Sequence, residues 1–290
     1  MRKIAILGAN GFLGSPIADE FEASGWDVVT LSRKNHSGPS RGNYFVDLFD
    51  IESLKRALLN ARPEVVISTA WETEHGKFWT KSSNIDYRDA TLRFAEVCFE
   101  LGVQTFVGLG TVSEYGVSAG ICNAETSPLV PSDIYSRSKI ETGVQLKEIG
   151  ESFGRKTHWL RIFQAFGPHE KPERFIPGLI STLRLGEKFS IRTPDFNLDW
   201  IHTSDIASAA LFTVEKELRH FVDVGTGKAT SVRELSDLIC AELKLDSSLL
   251  DYSEQIPGHQ KTVVVDPTSL LFTAGWSPSE PLESRIRSLR

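Results

Sequence analysis

Tyr135 and Lys139 stand four residues apart in a stretch with helical spacing, so their side chains leave one face together. A phenol ionises near pH ~10, so it moves a proton at neutral pH only where its anion is stabilised. An ammonium one turn away can do that, and so can a cationic nicotinamide ring. Thr111 ends an apolar stretch, with Ser113 two residues on, and its hydroxyl could hold the oxygen that exchanges the proton. A tyrosine and a lysine at this spacing are by themselves an ordinary surface pair. They acquire meaning if the chain also binds a hydride carrier.

The beginning of the chain reads as such a binding element. Ile4–Leu7 is an apolar strand, followed by Gly8, Gly11 and Gly14 and then by amphipathic Ile17, Ala18 and Phe21. Gly8 turns the strand, Gly11 leaves room for a phosphate, and Gly14 lets a helix pack closely, with Asn10, Phe12 and Leu13 lining the same turn. The free amides of the helix start then face the anion. A second strand, 27–31, completes a βαβ unit and ends at Ser32-Arg33-Lys34, beside the adenosine ribose. Arg33 and Lys34 would pair with a 2′-phosphate, which points to NADP rather than NAD. The alternative is a solvated loop with two ordinary cations. After a third strand, 44–46, Asp47-Leu48 can place a carboxylate near the adenine. The strand 63–70 ends at Ala70-Trp71, where Trp71 is either a wall of the nicotinamide pocket or a core aromatic.

These residues need strands that share one carboxyl edge. Apolar runs at 63–70, 103–109 and 158–163 alternate with helical spacing at 51–60, 82–101 and from Tyr135 to about residue 153. This predicts an α/β fold, a doubly wound Rossmann parallel sheet. Residues 118–133, rich in Pro, Ser, Gly and Asn, read as a loop. Beyond Gly167-Pro168 the alternation breaks into short mixed segments, giving a binding domain over 1–166 and a smaller, interleaved mixed α/β substrate lobe over 167–290. With 290 residues, 40% of them hydrophobic, the chain can bury a large core. A net charge of −6 without a basic run argues against nucleic acid or an anionic membrane as the main partner. Three widely spaced cysteines suit neither a disulfide framework nor a metal site. The apolar run after Met1-Arg2-Lys3 stops at Gly8, too short for a signal peptide, so a cytoplasmic protein is expected.

Taken together, the glycine motif, Asp47, Thr111 ahead of Tyr115-Gly116, and Tyr135 with Lys139 resemble the extended short-chain dehydrogenase/reductases, the nucleotide-sugar epimerases, dehydratases and 4-ketoreductases. Further marks are Arg161-Ile162-Phe163-Gln164, Phe166-Gly167-Pro168, Arg174-Phe175-Ile176-Pro177, Asp199-Trp200-Ile201-His202 with Asp205, and Asp266-Pro267. The resemblance implies a Thr111–Tyr135–Lys139 catalytic set, a nucleotide-sugar substrate and a homodimer formed through the long helices. Departures narrow the reaction. Where 4,6-dehydratases of the family carry Asp-Glu after the threonine, this chain has Val112-Ser113, and Glu114 would point away from an extended segment. Leu198 stands where the family often has Arg, and Ile256-Pro257-Gly258-His259 where many members have Arg-Pro-Gly-Asp, so two usual diphosphate ligands are missing and Arg174 and Arg192, with Lys171 or Lys261, are expected to substitute. Gln164 replaces a frequent substrate-side Asn, and Trp71, Thr111 and Ser113 complete the expected substrate wall. Asn84 sits three residues before the family's usual helix Asn, near the face of Tyr87. The expected function is an NADP-dependent 4-ketoreductase of a nucleotide-linked deoxysugar. The alternatives are a nucleotide-sugar 4-epimerase and a non-catalytic NADP-binding regulatory protein.

Overall fold

A computed structural model describes residues 2–33, 42–72, 74, 76–116, 119–253 and 261–289. In chain order the first half contains β1 (Lys3–Leu7), α1 (Gly14–Ala23), β2 (Asp27–Ser32), β3 (Gly42–Phe45), α2 (Ile51–Ala61), β4 (Val65–Ser68), α3 (Ser83–Glu100), β5 (Thr105–Thr111), β6 (Gly120–Cys122), α4 (Ile134–Phe153) and β7 (Lys156–Ile162). Then follow β8 (Gln164–Phe166), α5 (Phe175–Arg184), β9 (Phe189–Ser190), β10 (Phe196–His202), α6 (Thr203–Lys216), β11 (Phe221–Val224), β12 (Ala229–Ser231) and α7 (Val232–Leu243). The chain closes with β13 (Leu250–Asp251), β14 (Lys261–Val265), α8 (Leu270–Thr273) and α9 (Leu282–Arg287).

Seven strands form a parallel sheet in the order β11-β7-β5-β4-β1-β2-β3. Every residue of β4 and β5 is buried. That is what continuous apolar runs require when helices cover both faces of a sheet. One core packs α1 and α6 on one face, and a second packs α2 and α3 on the other. Local chemistry starts the helices: the Asp133 carboxylate accepts from the Ser136 N–H at 2.8 Å to open α4, and Asp50 accepts from Ser53 N–H at 3.1 Å to open α2. The strand order reverses at β1 and β4, so their carboxyl ends and that of β5 border one crevice.

Residues 118–133 are not wholly a loop. Strand β6 pairs in parallel with β14, extending a second sheet ordered β12-β10-β14-β6, with β8 also paired to β10. A three-residue strand with a single buried side chain, Cys122, carries too little pattern to be recognised. The last strand of the large sheet, β11, comes from beyond residue 166, while β6 from the first half joins the second sheet.

Candidate active site

The placement of α4 depends on one indole. Trp159 of β7 is 1% exposed and lies in a slot between Gly108, Gly110 and Gly143. A Cβ on Gly108 would approach Trp159 Cζ3 to 2.5 Å, and one on Gly143 would approach Cδ1 to 2.8 Å. With no side chains in the slot, α4 can lie close against β5. The consequence is that Lys139 Nζ donates to the Leu109 carbonyl at 2.8 Å, and the Tyr135 hydroxyl comes near enough to Thr111 for that side chain to influence its pKa. The three expected residues therefore meet at the end of β5.

Their charge states follow from burial. Lys139 is 5% exposed, and loss of hydration pushes its pKa down to about 7, opposed by the negative charge of Glu114. Burial likewise lifts Tyr135 to about 12. The polar Thr111 side chain and the charge of Arg174 pull it down, and Glu114 and Asp133 push it up. The expected lowering of the Tyr135 pKa by Lys139 is thus not found in the protein alone: Lys139 Nζ is 5.9 Å from the phenol ring centroid, and desolvation outweighs the attractive contacts. Tyr135 holds its proton at neutral pH.

Glu114 departs from the extended expectation. Residues 112–115 form a 3₁₀ turn, capped by Thr111, that sends Glu114 inward to full burial. Its Oε1 accepts from the Thr111 N–H at 2.9 Å and the Trp159 Nε1–H at 3.0 Å, and its Oε2 accepts from Arg161 Nε at 2.7 Å. Arg161 also donates to the Tyr115 hydroxyl at 3.1 Å, which donates to Asp223 at 2.7 Å. The Thr-x-x-Glu capping pattern at 111–114 carried this information in the sequence.

The glycine turn fits a dinucleotide. Gly8 has φ +83°, and a Cβ there would meet Thr69 Oγ1 at 2.5 Å; a Cβ on Gly14 would run into the Gly8 backbone. Around Gly11 the nearest atom to such a Cβ is the Gly8 carbonyl oxygen at 3.1 Å, which leaves the outer side of the turn open to a phosphate. Phe12 and Leu13 follow in this turn, and Asn10 Nδ2 donates to Ser32 Oγ at 3.0 Å, tying it to the end of β2. Arg33 is exposed there, and the charges of Arg33, Glu72 and Asp47 all act on the Tyr87 hydroxyl, so they converge on one end of the crevice. Asp47 accepts from the Phe49 N–H at 2.9 Å, and the adjacent Leu48 is buried. Lys34 and His259 lie outside the described residues.

Ala70 and Trp71 follow β4 at this crevice, where Trp71 Nε1 donates to Asn84 Oδ1 at 2.8 Å. Asn84 is fully buried and also donates to the carbonyls of Phe78 at 2.6 Å and Lys81 at 2.8 Å. It fastens Trp71, Phe78 and Lys81 to α3, a role that sequence spacing did not reveal. Phe78 and Trp79, also missed, pack edge-on to Tyr135 with centroids 4.8 and 5.3 Å away. Ser113 is half-buried in the 3₁₀ turn. Gln164 opens β8 opposite Trp200. Arg174 precedes α5, pairs with Glu170 at 3.0 Å and acts on Tyr135, which brings it to the site. Arg192 is exposed beyond β9 and is not among the groups that act on Tyr135 or Lys139. A cavity of about 580 Å³ between residues 167–170, α5 and Ser288-Leu289 contains none of the three central residues.

Comparison with known proteins identifies the family and the fold. Residues 4–225 match the model of the NAD dependent epimerase/dehydratase family. A UDP-glucose 4-epimerase of Rhizobium meliloti is 25% identical over 313 residues, covering 98% of this chain and 95% of the relative. A dTDP-6-deoxy-L-talose 4-dehydrogenase (NAD(P)(+)) of Kitasatospora kifunensis is also 25% identical, over 99% and 94% of the two chains. Among solved structures, the UDP-N-acetylglucosamine 4-epimerase of Methanobrevibacter ruminantium superposes with a TM-score of 0.85 at 22% identity, covering 99% of this chain and 96% of the other. The NAD complex of the Thermus thermophilus UDP-glucose 4-epimerase gives 0.79 at 24% identity, over 98% and 96%.

Proposed function

The chain belongs to the NAD dependent epimerase/dehydratase family, and from that premise we propose that it reduces the 4-keto group of a nucleotide-linked deoxysugar with NADPH. The observation that carries this reading is the commitment of Glu114. Elimination of water needs a free acid and base beside the threonine; Val112 and Ser113 offer neither, and Glu114 is buried against Arg161, Trp159 and the Thr111 amide. Proton exchange on an oxygen is what remains. A bound nicotinamide supplies the hydride.

Thr111 orients the substrate carbonyl, and Tyr135 passes its hydroxyl proton to the carbonyl oxygen as the carbon gains hydride. The resulting phenolate recovers a proton from solvent. Reduction starts from the protonated phenol, the state in which Tyr135 rests at neutral pH. Lys139 offers positive charge one turn away, and Arg174 offers an anion contact for the diphosphate. Gly8, Gly11 and Gly14 with Asn10 hold the cofactor diphosphate, and Arg33 at the ribose end favours the 2′-phosphate of NADP over NAD.

The test offers a 4-keto-6-deoxy sugar nucleotide with NADPH and follows absorbance of the reduced nicotinamide. Stoichiometric oxidation supports the reductase, and Tyr135→Phe should retain cofactor binding while losing ~10²–10⁴-fold in turnover. A 4-epimerase is favoured by the Rhizobium meliloti relative; interconversion of 4-epimers with no net cofactor consumption would replace the reductase with it. No turnover of either kind would leave a cofactor-binding regulatory protein.

A further inference from the structure

Lys139 has an unusual companion. Its Nζ lies 3.6 Å from the centroid of the Trp71 ring, with the Trp159 and Tyr135 rings farther off at 5.6 and 5.9 Å. We propose that Trp71, anchored by Asn84, is a positioning residue for Lys139, its indole face standing in for the water that the buried ammonium has lost. The inference rests on the role given to Lys139 above.

The ammonium is buried, and among the described residues its one hydrogen bond goes to the Leu109 carbonyl. Among the described residues, the charged or titratable groups facing it are Tyr135 on its own helix and Glu114 from the 3₁₀ turn, and Glu114, whose charge favours the ammonium, is shared with its ion-pair partner Arg161. A buried cation so placed needs further compensation. The negative face of an indole within ~6 Å provides it, and most effectively where water is excluded.

The indole is held. Both amide hydrogens of Asn84 are spent on the Phe78 and Lys81 carbonyls, which orients its oxygen toward Trp71 Nε1. The segment it fastens is braced further by Lys81 to Glu72 at 3.3 Å and to Glu74, and by Lys77 to Glu74 at 2.7 Å.

The test follows Lys139 by NMR of its ε-carbon in ¹³C-lysine-labelled, cofactor-free protein across a pH titration, with the resonance assigned through Lys139→Arg. Trp71→Leu should lower the Lys139 midpoint by about one unit, a tenfold rise in acid dissociation constant. Trp71→Phe, which keeps a weaker aromatic face, should recover part of it, and Asn84→Ala should shift the midpoint in the same direction as Trp71→Leu. If Trp71→Leu does not fold, the Phe variant decides by a smaller downward shift. An unchanged midpoint overturns the proposal, and so does a raised one, which would mean that the indole only keeps water out. Because the titration uses no cofactor or substrate, a downward shift without ketone reduction keeps the positioning role and removes the reductase. Reduction without a shift does the reverse.

Discussion

Replacing Gly143 by alanine tests whether the Trp159 slot sets the position of α4. In an exposed helix this exchange gains up to about 1 kcal/mol of helix propensity. Here the new Cβ would lie 2.8 Å from Trp159 Cδ1, 2.9 Å from Nε1 and 3.0 Å from Cγ. The indole has little room to move, because Gly108 lies against its Cζ3 and Cε3, Gly110 also crowds Nε1 and Cδ1, and Nε1 is bonded to buried Glu114. Relief must come from α4 moving outward, and overpacking of this kind costs about 1–3 kcal/mol. The expected net result is a loss of roughly 1–2 kcal/mol, read by urea denaturation. Lys139 is one turn before Gly143, so the shift also draws Nζ from the Leu109 carbonyl; a displacement of ~1 Å can cost ~10²-fold in turnover. Gly178, within α5, is the control: its Cβ would meet Pro172 O at 3.4 Å, an ordinary contact. Gly178→Ala should be neutral or stabilising. If Gly143→Ala is as stable as wild type, the slot does not set the helix position.

Arg33→Ala should reduce the preference for NADPH over NADH by about tenfold, as measured by titrating both cofactors; an unchanged preference removes Arg33 from the ribose end. Arg174→Ala should raise KM for a nucleotide sugar about tenfold with cofactor affinity unchanged, and equal KM values would dismiss the anion site. His158 is 2% exposed and burial pushes its pKa down to about 4. The unfolded state therefore binds the proton more tightly, so this stability is complete above pH 6.5 and is lost as pH falls toward about 4. From pH 7 to 5 His158 should cost roughly 2 kcal/mol, and His158→Leu should flatten that slope in denaturant melts.

What the sequence made legible was chemistry held within one or two turns of chain. The close turn made by Gly8, Gly11 and Gly14 was legible from their spacing, and the structure adds which atoms each missing Cβ would strike. Tyr135 and Lys139 share a face by the helical period alone. What stayed hidden depends on partners far along the chain. Strand β6 is intelligible only through β14, more than a hundred residues later, and Trp159 reads as one more apolar residue of a strand until glycines from two other elements enclose it. Glu114 was hidden for another reason. Its capping pattern was present, but the apolar run before it favoured an extended reading, and the competition is settled by burial of Arg161 and Asp223, which come from two later strands. The charge states follow the same division: which groups titrate is written in residue types, whereas the direction of each shift is set by desolvation. Lys139 was read as the group that acidifies Tyr135, yet it is itself lowered, because the packing that delivers it to Leu109 also strips its water. In such a site an aromatic face near the ammonium matters as much as a second charge, and spacing along the chain does not encode it.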